Sequence, residues 1–96
     1  MRSPLIIRRV VGDSMLPALP PGSLIVATGF YVHLKKGDLV IFKHQGLDKI
    51  KRIEATRDLT FYVLGDNSAN SSDSRVFGWL PTSAITAKVI WPRNRG

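Results

Sequence analysis

From Leu5 to Trp91 the chain is a succession of short, largely β-branched apolar runs, each closed by proline, glycine or an Asp/Asn turn. None lengthens into the periodic stretch of ten or more residues that marks a helix. The runs occupy residues 5–11, 23–28, 39–43, 48–56, 59–64 and 84–91. Between the first two, Pro17, Pro20 and Pro21 each remove a backbone donor and fix their own φ, and Pro21-Gly22 is a turn pair. Six or so strands joined by turns predict an all-β fold, a small mixed sheet or barrel with little helix. At 96 residues the chain builds one core and therefore one domain, residues 1–96.

Charge narrows the partners. A formal net charge of +7 attracts polyanions, either nucleic acid or an anionic membrane surface. Arg2, Arg8, Arg9, Arg93 and Arg95 crowd the termini, and no block of five like charges forms a basic tail. With no cysteine, disulfides, thiolate metal sites and a cysteine nucleophile are excluded. His33 and His44 have no second ligand at metal-binding spacing, so no metal or other cofactor is expected. No apolar run approaches the roughly 18 to 20 residues of a spanning helix, and the one before Arg8 is too short for a signal peptide. The expectation is a cytoplasmic protein, or one peripheral at a membrane.

Two positions invite chemistry. Ser14 lies in Gly12-Asp13-Ser14-Met15-Leu16-Pro17, where a strand gives way to an irregular segment, an edge from which a hydroxyl can point into a cleft. The same residues are also ordinary turn formers. Lys51 lies in Ile50-Lys51-Arg52-Ile53, with Ile53 on its own strand face and Arg52 on the other. Desolvation there would lower the amine pKa and leave a neutral base able to take a serine proton. Alternatively the stem packs on the sheet while the ammonium reaches water. The long polar stretch 65–78 is a third unusual feature, since compact domains seldom keep such a loop without a use for it.

Taken together and in order, Gly12-Asp13-Ser14-Met15-Leu16-Pro17, Gly37-Asp38-Leu39-Val40, Ile50-Lys51-Arg52-Ile53 and Gly65-Asp66-Asn67 with Ser71, Asp73-Ser74-Arg75 and Phe77-Gly78 resemble the type I signal peptidases. The resemblance implies an all-β serine endopeptidase that removes signal or leader peptides after small residues, with a precursor protein or peptide as its partner. It implies Ser14 as nucleophile and Lys51 as general base. It further implies Ser71 as the hydroxyl orienting the lysine amine, and Asp73 and Arg75 as a structural ion pair beneath the site. Gly12 stands where many bacterial members carry a serine that helps hold the oxyanion, which leaves backbone donors such as the Ser14 amide for that role. Glu54-Ala55-Thr56-Arg57-Asp58 replaces the usual Gly-x-Pro-Gly-Asp, the large β insertion is absent, and no N-terminal anchor is expected, so a membrane-anchored partner or an anionic surface could supply attachment.

Three other readings remain at this point. The Gly-Asp-Ser-Met segment and the serine-to-lysine gap are similar to self-cleaving repressor domains, although little chain precedes Ser14. The short form also resembles soluble proteases that trim the leader of nickel-type superoxide dismutase. A non-catalytic basic β-module would bind nucleic acid or anionic membrane and stack bases on Phe30, Tyr31, Phe61 or Tyr62. Those aromatics are spaced as strand residues, and no nucleic-acid motif accompanies them.

Overall fold

The computed structural model describes residues 5–92; the terminal Arg2, Arg93 and Arg95 lie outside them. The described strands are β1 (Ile6–Arg9), β2 (Leu24–Thr28), β3 (Leu39–His44), β4 (Leu47–Arg57), β5 (Thr60–Leu64), β6 (Leu80–Pro81) and β7 (Ile85–Trp91). They form one sheet of order β1-β2-β7-β3-β4-β5-β6 in which every pairing is antiparallel. The predicted all-β fold is thus present, and among the described residues helix is confined to the single turn α1 (Ser74–Phe77) and short 3₁₀ turns at Ser68–Asn70 and Thr82–Ala84.

Strand ends differ from the sequence reading where turn geometry takes over. The chain leaves β1 after Arg9, so Val10 drops into the core while Val11 is exposed. Asp58, at φ 53°, pulls Leu59 into the β4–β5 turn and out of the strand. Gln45 and Gly46, both at positive φ, make the two-residue reversal between β3 and β4.

Strand β3 sits mid-sheet with both faces buried, and its alternation feeds two cores. Leu39 and Ile41 join Val10, Met15, Leu19, Ile25, Ala27, Ala87 and Val89 on one side. Val40 and Phe42 join Ile53, Phe61, Val63 and Ile85 on the other, where the Phe42 and Phe61 rings meet edge to face at 5.4 Å. Met15 and Leu19 are the chain's plug in the first core, and burying each contributes about 1.5–3 kcal/mol. That plug fixes the segment between β1 and β2, whose ends are tied by Val10 N to Ser23 O and Gly22 N to Val10 O, both 2.8 Å. The residue before Met15 is Ser14.

Candidate functional site

Three parts of the chain converge at Ser14. The first is its own segment, where Gly12 turns at φ 77° and Met15, directly after the serine, is buried in the core. Leu19 N donates to Met15 O at 2.8 Å, closing one helical turn beyond the serine. The second is β4. Lys51 pairs across the sheet with Val40, so its stem shares a face with Val40 and Ile53, while Arg52 points the other way. The third is the 65–78 loop. Its Asn67 amide donates to Ser14 O at 2.8 Å and its Asn67 side chain to Asp13 O at 3.0 Å.

Lys51 Nζ donates to Ser14 Oγ at 2.7 Å, and the lysine is only 6% exposed. Burial is the main force on its amine and pushes the pKa below the ordinary lysine value. The charge of Asp73 works in the opposite sense, and that of Lys49 adds to the depression. The arrangement holds a hydroxyl and a partly desolvated amine in hydrogen-bond contact at the wall of a cleft.

Asp73 is the structural centre of the loop. Fully buried, it caps α1 by accepting from the Arg75 amide at 3.1 Å. It also accepts from Arg75 Nε and Nη2 at 2.9 and 2.7 Å, from the Gly65 amide at 2.8 Å and from Ser71 Oγ at 2.9 Å. Burial alone would raise this carboxyl, but the bonds from Arg75, Gly65 and Ser71 outweigh it and hold the pKa well below the usual carboxylate range. Among the described residues, Ser71 bonds to Asp73 and not to Lys51, so the hydroxyl expected on the amine lies instead on the carboxylate beside it. Ser71 and Ser14 O both crowd Gly65, where an added Cβ would collide with the Ser71 side chain and come within 2.8 Å of Ser14 O.

The sequence places two further residues in motifs but assigns them no role. Asn67 clamps the Ser14 segment. Arg52 forks onto Asp66 at 2.9 and 2.8 Å and reaches Gly37 O at 2.9 Å, which ties the start of the loop to the turn before β3. A tripeptide Gly-Asp-Asn shows that a turn is present but not which backbone it grips.

The cleft has a volume of about 360 Å³, and Ser14, Met15 and Lys51 line it with Arg8–Val11 on one side and Asp48–Ile50 on the other. Strand β1 is an edge paired with β2, and β5 joins β4 only from Arg52 onward. Among the described residues, Leu47–Lys51 and Ile6–Arg9 therefore each present one unpaired backbone edge beside the cleft. Among the described residues no group of histidines and carboxylates converges as metal ligands would, and no helix is long and apolar enough to cross a membrane.

No curated protein matches the chain. The family model described as signal peptidase, peptidase S26 matches residues 57–93, the span that contains Ser71, Asp73 and Arg75 and follows Ser14 and Lys51. The chain resembles the type I signal peptidases, a family of peptidases that act on precursor proteins.

Proposed function

We propose that the protein is a serine endopeptidase that removes N-terminal signal or leader peptides after small residues, with Ser14 as nucleophile and Lys51 as general base. The observation that carries this reading is the 2.7 Å contact between Lys51 Nζ and Ser14 Oγ inside a cleft. Once its amine is neutral, Lys51 accepts the hydroxyl proton over that contact as Oγ attacks the scissile carbonyl carbon. The resulting ammonium returns the proton to the departing amine, leaving an ester on Ser14. Water then enters by the same route: Lys51 takes its proton, the ester bond breaks, and Oγ recovers the hydrogen. The oxyanion is held by backbone donors such as the Ser14 amide, since Gly12 offers no hydroxyl.

Asp73 keeps its charge throughout and opposes the depression of the Lys51 pKa, while Arg75, Ser71 and Asn67 hold the loop in place. The substrate lies extended along the free edges of β1 and β4, where backbone hydrogen bonds supply binding and shallow pockets admit small side chains. Ser14→Ala and Lys51→Ala test the reading, because nucleophile and base act as a unit and each change alone abolishes cleavage. Both variants should keep the wild-type circular dichroism spectrum. Turnover of an Ala-x-Ala peptide by either purified variant overturns the assignment.

A further inference from the structure

The lysines and arginines of this chain are not partnered evenly. Lys35, Lys36, Lys43, Arg52, Arg75 and Lys88 each form an ion pair with an aspartate or glutamate. Arg57 lies over the Trp79 ring, 5.2 Å from its centroid. Among the described residues Arg8, Arg9, Lys49, Lys51 and Arg57 have no carboxylate partner, and the first four line the cleft that contains Ser14. Among the described residues Arg8 and Arg9 hold backbone carbonyls, while Lys49 Nζ lies 3.3 Å from His44 Nδ1 and 5.2 Å from the centroid of the Phe77 ring. The acid on the cleft wall, Asp48, is already engaged by Lys43 at 3.2 Å.

We propose that the cleft selects substrates carrying carboxylate side chains next to the scissile bond, read by Arg8, Arg9 and Lys49. This deepens the proteolytic reading and rests on it. Like charges gathered around one cleft repel each other, and an anionic ligand relieves that repulsion. The partner fits an extended peptide. Two unpaired strand edges flank the cleft, and along an extended chain side chains on one face recur about every 6.8 Å, the same step that separates Lys49 from Lys51. A carboxylate two residues from the carbonyl that faces Ser14 therefore falls beside Lys49. The walls also carry Val10, Val11, Met15, Ile41 and Ile50, apolar surface that a phosphate backbone would leave unused.

The test is a peptide series built on Ala-x-Ala in which Glu, Gln or Lys is placed in turn at each of the flanking positions. At one or more positions the Glu peptide should exceed its Gln counterpart by about fivefold in kcat/KM, and the Lys peptide should fall below both. Raising the salt from about 0.05 to 0.5 M should erode the preference as the Debye length contracts. Arg8→Gln, Arg9→Gln and Lys49→Gln should each reduce the Glu-to-Gln ratio, whereas Lys36→Gln, which lowers net charge equally but lies outside the cleft, should leave it unchanged. A ratio near one at every position overturns the inference while leaving the protease reading intact. If no peptide is cleaved, the protease reading fails separately, and fluorescence anisotropy with the Ser14→Ala variant decides the inference. Tighter binding of the Glu peptide than the Gln peptide then sustains it; equal binding, or tighter binding of a single-stranded oligonucleotide of equal charge, overturns it.

Discussion

Asp73→Asn keeps the shape of the side chain and removes its charge, so its cost follows from the hydrogen bonds. One carboxylate oxygen accepts from the Arg75 amide and Nε, the other from the Gly65 amide, Ser71 Oγ and Arg75 Nη2. An amide cannot accept on both sides. The less costly orientation turns its NH₂ toward Arg75, whose side chain is 42% exposed and can move into water. The Arg75 amide then loses its cap, and the bonds from Gly65 and Ser71 fall from charge-assisted to neutral. Each of these losses is about 1 kcal/mol, together about 3 kcal/mol. For a domain of this size that lowers the melting temperature by about 12–24 °C. Circular dichroism melts should show it at pH 7. Because the native pKa lies below the unfolded value of about 3.9, the carboxylate contributes fully above that value and its contribution is lost as pH falls. The gap between wild type and variant should therefore narrow between about pH 5 and 2. A drop under about 4 °C at pH 7, or a gap that persists undiminished to pH 2, would refute the reasoning.

Two further outcomes follow from the site. Burial lowers the Lys51 pKa, so peptide cleavage should rise with pH to a midpoint below the ordinary lysine value of about 10.4; a rate constant between pH 6 and 10 would remove lysine from the role of base. In Asp73→Asn that midpoint should move further down, since the carboxylate that favours the ammonium is gone. Gly65→Ala drives a methyl into Ser71 and toward Ser14 O, and on the proposed reading displacing the Ser14 segment should lower kcat about 100-fold with a smaller change in KM. Wild-type kcat in a folded Gly65→Ala variant would show that the contact does not set the geometry.

The strands were legible because their signal is local. Runs such as 39–43 and 59–64 carry β-branched and aromatic residues between turn formers, and the sheet follows them to within a residue or two. The opposite orientations of Lys51 and Arg52 also follow from the two-residue period of a strand. What Arg52 does was not legible, because its partners Asp66 and Gly37 come from turns that no periodicity relates to β4. The grip of Asn67 on Ser14 and Asp13 is hidden for the same reason. Ser71 shows the limit of motif reasoning from the other side. Its place in the loop was expected, but the nearest strong acceptor, a buried carboxylate two residues away, takes its hydrogen. The unpaired edges of β1 and β4 needed the full strand order, since an edge is a property of neighbours.

The clamp between Asn67 and the Ser14 carbonyl has a consequence for the order of events during synthesis. Ser14 is made before its amine partner, which follows 37 residues later, and before the loop that grips it, which closes with α1 at Phe77. Until that loop has been made and docked, the serine has neither its fixed backbone nor the carboxylate beside its amine partner. If Ser14 is the nucleophile, a chain that stops short of the loop carries the hydroxyl without the groups that would let it act. On the proposed reading, activity waits on chain order, because the hydroxyl is made well before the groups that position it.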